Sequence, residues 1–279
     1  MMVAPPWVLL ILHIMPTIDI LDISASIGCN LQCKGCNHFS NYFAPGSKVD
    51  TDSLLDDIAT ILPRVNIGRV SVIGGEPLLN PRCEEIVNAC ATHTDSPVYL
   101  YSNGLLLLQN EAWIKKSLEN PRIFLRISIH LPEVEQIIKE FNHPKVLVTE
   151  HHTGKDRWFN SIKKKEDKVY PYNHNSPAKS FKVCSCPNAQ LYAGRLWKCP
   201  NTAFLRELLY VTGQEEDPEW QEYLVDGLPV DCSDAMLTEF CINSKLPESV
   251  CSMCTAKPIR FSAALQERSK RKVIPQNKY

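Results

Sequence analysis

The chain has 279 residues, 44% of them hydrophobic, and a formal net charge of −1. That length can bury a sizeable core and suits one large domain, or one with a small appendage. A near-neutral balance gives no reason to invoke nucleic acid or an acidic membrane surface as a partner. Residues 1–17 form an apolar N-terminal extension. Its Val3–Met15 stretch is too short to span a bilayer. No Lys or Arg precedes it and it has no small-residue cleavage site, so a signal peptide is not expected, and Met15 is an alternative start. From Ile18 to Glu150, strand-like and helix-like segments alternate. Ile18–Ala25 reads as a strand. Thr51–Leu62 reads as a helix capped by Asp50 or Thr51, with Leu54, Leu55, Ile58, Ile61 and Leu62 on one face. Arg69–Ile73 is a strand ending in Gly74–Gly75. Pro81–Cys90 is a helix with Asn80 as its cap and Pro81 at its first position. Val98–Tyr101 is a strand closed by Ser102–Asn103–Gly104, Glu111–Leu118 a helix, Ile123–Ile129 a strand, Pro132–Phe141 a helix and Val146–Thr149 a strand. Strands separated by helices imply parallel pairing through right-handed crossovers, and so an α/β partial barrel. Lys155–Ser180 is charged, carries Pro171 and Pro177, and reads as a linker or mobile loop. A cysteine-rich tail follows.

Twelve cysteines is a high count for this length. A secreted disulfide framework belongs to small domains that lack a core. This chain can bury a core and its cysteines come in tight clusters, which points to thiolates held for metal in the cytosol. Cys29, Cys33 and Cys36 sit in CNLQCKGC, just after the first strand. Three soft sulfur ligands on one loop suit three irons of a four-iron cluster and leave the fourth iron open. Structural zinc asks for four ligands and fits this triplet poorly. The other sites of interest also follow strands, at the edge of a parallel sheet where ligands bind. Glycine at 74 and 75 would let backbone approach a ligand, and Glu76 offers a carboxylate to an ammonium group.

CNLQCKGC, followed roughly forty residues later by GGEP, resembles the radical S-adenosylmethionine (SAM) superfamily over residues 18–150. The resemblance implies a partial (β/α)6-type TIM barrel and a 4Fe–4S cluster on Cys29, Cys33 and Cys36. It also implies SAM contacts from Gly74, Gly75, Glu76, Ser102, Asn103, Ser128 and His130. The chemistry implied is reductive cleavage of SAM to a 5′-deoxyadenosyl radical that abstracts hydrogen from a substrate. Gly35 stands where the family has an aromatic residue against adenine, and His38 or Phe39 is expected to replace it.

In the tail, CSCPNAQLYAGRLWKCP spans Cys184 to Pro200, with a hairpin turn at Ala193–Gly194, and a C-x-x-C lies at Cys251 and Cys254. This resembles the Twitch or SPASM auxiliary-cluster domains of radical SAM enzymes. It implies a second 4Fe–4S cluster on Cys186, Cys199, Cys251 and Cys254, with Cys184 as the alternative to Cys186. Zinc is the competing occupant. The expected division is 1–17, a radical SAM barrel over 18–180, and an auxiliary domain and tail over 181–279. Cys83 and Cys90 read as core thiols. Cys232 and Cys241 are a hydrogen-atom donor, spare ligands or neither. His151, His152 and the Lys163–Lys165 run read as surface.

By resemblance, the first functional expectation is oxidation or isomerisation of a polar, sugar-like small molecule, with a flavodoxin or ferredoxin as electron donor and no nucleic-acid or membrane partner. The second is a peptide-modifying maturase. Such enzymes often carry an N-terminal peptide-recognition domain, and only 28 residues precede Cys29. The third is a non-catalytic zinc or iron–sulfur protein.

Overall fold

A computed structural model of the chain describes residues 15–47, 49–151, 157–166, 168–174 and 176–262. Its frame is a run of strand–helix pairs: β1 (Thr17–Ser26), α1 (Thr51–Ile61), β2 (Asn66–Gly74), α2 (Cys83–His93), β3 (Val98–Ser102), α3 (Glu111–Ser117), β4 (Ile123–Ile129), α4 (Glu133–Phe141) and β5 (Val146–Glu150). The five strands pair in parallel in chain order. The α1 helix starts where Asp50 accepts the Ser53 N–H, and it buries Leu54, Ile58 and Ile61 against the sheet. Six successive residues of β1, Leu21–Ser26, are buried, as expected of a central strand covered on both faces. β3 and β4 alternate strictly between buried and half-buried residues.

After β5 come β6 (Arg157–Trp158), β7 (Lys163–Lys165), β8 (Lys168–Tyr170) and α5 (Pro177–Val183), then β9 (Ala189–Tyr192), β10 (Arg195–Trp197), α6 (Pro200–Ala203), α7 (Leu205–Thr212), β11 (Leu228–Pro229), α8 (Asp234–Asn243) and β12 (Phe261–Ser262). The main sheet has the order β11-β10-β9-β1-β2-β3-β4-β5. The sixth parallel strand is therefore β9, which joins beside β1 through Leu21↔Ala189 and Ile23↔Leu191. The partial barrel remains open, and β5 forms one edge. No helix among the described residues is long and apolar enough to cross a membrane.

The tail shares both cores of the molecule. Leu191, Leu196 and Leu237 pack with Ile23, Val70 and Leu100. Ile27, Phe39 and Phe43 from the cysteine-loop side pack with Phe204, Leu208 and Trp220. The 157–180 stretch, expected as a linker, carries a short ribbon (β7–β8) and a strand (β6) paired with β12 about a hundred residues later. Elements of two or three residues carry no readable period, and a partner so distant leaves no local signal. The Pro81–Cys90 expectation shifts to Cys83–His93. Asn80 holds the preceding turn instead, donating to the Ala25 carbonyl at 2.9 Å and Thr51 Oγ1 at 3.1 Å and accepting the Arg82 N–H at 2.9 Å.

Candidate active site

Parallel pairing brings the ends of β1, β2, β3 and β4 to one edge, and a cavity of about 580 Å³ opens there. Cys29, Cys33 and Cys36 line it from the loop after β1, Gly74 and Gly75 from the end of β2, Ser102 and Asn103 from the end of β3, and Ser128 and His130 from the end of β4. All twelve cysteines are free thiols. Burial pushes the Cys29 and Cys33 thiols well up, and the neighbouring Glu76 adds to this at Cys29. Held as neutral thiols, these groups would be poor ligands; a bound metal keeps them ionised. Hydrogen-bond donors offset part of that burial cost at Cys29 and Cys36. The Leu31 N–H donates to Cys29 Sγ at 3.4 Å, Asn103 Nδ2 lies 3.7 Å from the same sulfur, and the backbone N–H groups of His38, Ser40 and Asn41 face Cys36.

The GGE segment meets its own chain more closely than the cavity. A Cβ on Gly74, whose φ is +138°, would overlap the Ser26 carbonyl oxygen, and one on Gly75 would overlap that of Gly28. The Gly75 N–H donates to Ser26 at 2.8 Å and the Glu76 N–H to Gly28 at 2.9 Å. Glycine here lets β2 press against the start of the cysteine loop. Glu76 is fully buried and does not line the cavity. Its Oε1 accepts the Leu78 N–H at 3.1 Å and the Ser102 hydroxyl at 2.9 Å, and its Oε2 accepts the Asn103 N–H at 2.8 Å. Burial pushes this carboxyl up to about 7, against the pull of those donors. These bonds make the carboxylate a brace between β2 and the turn after β3.

The radical SAM superfamily matches residues 23–151, the stretch that carries every residue of this wall. Residues 23–151 form a radical SAM domain. The GTP 3′,8-cyclase of Nostoc punctiforme is 32% identical over 97 residues, covering 33% of this chain and 30% of that protein. The probable GTP 3′,8-cyclase of Methanocaldococcus jannaschii is 27% identical over 169 residues, covering 60% of this chain and 52% of that protein. The chain thus spans from under a third to about half the length of these curated relatives. Among solved structures, BtrN in complex with AdoMet and 2-DOIA superposes with a TM-score of 0.45 at 13% identity, over 87% of this chain and 98% of that one. A structure of anSMEcpe with bound AdoMet gives 0.35 at 20% identity, over 48% and 43%.

A radical SAM domain works with a 4Fe–4S cluster and SAM, and three thiols on one cavity wall, with hydrogen-bond donors facing the Cys29 and Cys36 sulfurs, fit the cluster in this one. The residues expected against adenine lie elsewhere. His38 is buried with its ring 5.8 Å from that of Phe204, and Phe39 lies in the core beside Phe43. A Cβ on Gly35 would meet the Phe261 ring of β12, which occupies that space. The aromatic groups on the cavity wall are Tyr101, Trp158 and Phe159, the last two from the stretch read as a linker. Trp158 packs beside Cys29, Leu31 and Cys33. It stands edge-on to His130 and His151 at 5.4 Å, while those two rings stack at 4.7 Å. Burial, then His151, pushes His130 down to about 3, so its ring is neutral.

The second cysteine group reaches the same cavity through Cys184, Cys186 and Cys254. Five thiols gather. Cys184 and Cys186 stand 3.7 Å apart, sulfur to sulfur, and their hydrogen bond draws Cys184 down to about 7. Asn201 lies between Cys186, at 4.0 Å, and Cys254, at 3.3 Å. Cys199 and Cys251 sense the charge of Cys184. Among the described residues no three His, Cys, Asp or Glu side chains close round a single ion; a four-iron cluster is a larger group, each iron taking one thiolate. Cys83, Cys90 and Cys241 are buried in the main core and Cys232 packs against it, none of them on the cavity wall.

Proposed function

We propose that this radical SAM enzyme carries two iron–sulfur clusters on one cavity and acts on a polar small molecule held between them. The observation that carries the reading is that Cys29, Cys33 and Cys36 on one side and Cys184, Cys186 and Cys254 on the other line a single cavity. Cys29, Cys33 and Cys36 hold the first cluster. Cys199, Cys251, Cys254 and one of the Cys184/Cys186 pair hold the auxiliary one. With SAM bound, the first cluster supplies the electron that cleaves the sulfonium and yields the 5′-deoxyadenosyl radical that takes hydrogen from the substrate. The chain's own part is placement and exclusion. Asn103 steadies the Cys29 sulfur, and Glu76 steadies Asn103. Ser128 and neutral His130 present polar atoms at the end of β4. Trp158, His130 and His151 form a wall that keeps water from the reacting groups.

The preferred substrate class is sugar-like and polar, undergoing oxidation or isomerisation. A nucleotide is the second reading. It is favoured by the two relatives named for GTP 3′,8-cyclisation and by Arg260, an exposed cation on the cavity wall. Anaerobic reconstitution tests the proposal: about eight irons per chain are expected, with 5′-deoxyadenosine formed from SAM and dithionite. Changing Cys29, Cys33 or Cys36 to Ala should abolish that product. Zinc in place of iron, or product undiminished in those variants, overturns it. Stimulation of 5′-deoxyadenosine formation by a nucleoside triphosphate but not by sugar alcohols selects the second reading, and stimulation by a cysteine- or serine-containing peptide alone selects a maturase.

A further inference from the structure

The cysteine loop has a second, outward face. Cys36 lines the inner cavity and also a separate outer recess of about 370 Å³. Lys34 and Lys164 line that recess. Lys164 comes from β7, where Lys163, Lys164 and Lys165 are all exposed. The amines of Lys163 and Lys164 lie over the Tyr172 and Tyr42 rings, at 5.6 and 5.0 Å from the centroids, and that of Lys34 lies 4.8 Å over Phe261. Across the ribbon Lys165 pairs with Lys168. Like charges directly opposite each other weaken a ribbon, so the Lys165–Lys168 pair is a cost to folding. The exposed acid described on the same ribbon is Glu166, at its turn.

We propose that Lys34 and the β7 lysines form the docking surface for an acidic electron-carrier protein, which delivers its electron through the Cys36 side of the loop. The proposal rests on the first cluster being held by Cys29, Cys33 and Cys36. One electron leaves the carrier's reduced flavin or iron–sulfur centre and enters the cluster; the carrier is oxidised by one electron, the cluster is reduced by one, and no proton or group is transferred. A carrier docked on the recess leaves the inner cavity open to SAM and substrate. The chain as a whole is near neutral, so attraction of an acidic partner has to come from a local concentration of cations such as this one.

The test compares two donors on the reconstituted full-length protein, following cluster reduction by stopped-flow absorbance. Reduced flavodoxin is the acidic protein donor. Reduced methyl viologen, a small cation, needs no lysine. In the wild type, reduction by flavodoxin should slow steeply with added salt and reduction by viologen should not. The triple variant Lys163→Glu, Lys164→Glu, Lys165→Glu should lose about tenfold or more in rate with flavodoxin and keep its rate with viologen. The milder pair Lys163→Gln, Lys165→Gln should lose less, again with flavodoxin alone, and serves if the triple variant does not fold. Equal loss with both donors, or no loss with either, overturns the proposal; it is the result expected if the lysines serve folding or another polyanion such as RNA. A wild-type protein that viologen cannot reduce, with no iron at the 29–36 loop, overturns the cluster assignment itself.

Discussion

The Glu76 carboxylate accepts the backbone N–H of Asn103 at 2.8 Å, and the Asn103 side chain in turn lies 3.7 Å from the Cys29 sulfur. The GGE motif therefore reaches the metal loop through a brace, with the carboxylate buried behind the cavity wall. Glu76→Gln keeps the shape but turns one acceptor into a donor facing an N–H. Leaving that N–H unpaired costs about 1–3 kcal/mol. The expected outcome is a lowered denaturation midpoint together with weaker retention of iron at the first site, read by metal analysis after gel filtration. A variant with wild-type stability and iron content would show that the brace does not position the loop.

Much of this was legible in the sequence because its signals are local. The spacing of Cys29, Cys33 and Cys36 and the strand–turn–helix around GGEP each occupy a few consecutive residues, and parallel pairing carries them to one edge. The place of Trp158 was not legible. It depends on β6 pairing with β12, Trp158 opposite Phe261, and neither two-residue strand has a period to read. The brace formed by Glu76 was not legible for a related reason. A carboxylate after two glycines suggests a ligand contact, and only the fold shows that Ser102 and Asn103 close over it. The place of β9 beside β1 likewise follows from contacts such as Gln190 with Ser24, at 2.6 Å, between residues far apart in the chain.

Trp158 is the aromatic group packed against the cysteine loop. If it walls the SAM site, Trp158→Ala should weaken SAM binding to the reconstituted protein by about tenfold, the value of roughly one good aromatic contact. Trp158→Phe should retain most of it. Equilibrium dialysis with labelled SAM measures this directly, independent of turnover. An unchanged dissociation constant in the alanine variant would move Trp158 from the SAM site to the substrate side of the cavity.

Cys184 and Cys186 lie 3.7 Å apart, and the proposed auxiliary cluster takes only one of them as a ligand. Either sulfur needs only a small shift to take the other's place. Single Cys184→Ser and Cys186→Ser variants should each keep close to eight irons per chain, whereas the double variant should fall to about four. Loss of four irons in one single variant but not the other would instead assign the ligand outright.

Asp22 is buried in the middle of β1 and accepts from Asn188 Nδ2 at 3.1 Å. Burial outweighs that bond and raises its carboxyl from the ordinary 3.8 to about 6. The sign follows from where the proton sits. Below about pH 4 the group is protonated in both folded and unfolded chains and contributes nothing to pH dependence. Between about 4 and about 6 the unfolded chain has released its proton while the folded chain keeps it, so stability falls as pH rises through this window and levels off above it. Each pH unit in that window is worth about 1.4 kcal/mol. Asp22→Asn removes the titration and keeps an acceptor for Asn188. Between pH 5 and pH 7.5, urea denaturation of the wild type should therefore lose about 1.4 kcal/mol more stability than that of the variant. Parallel pH profiles for the two proteins would mean that Asp22 ionises as freely in the folded chain as in water.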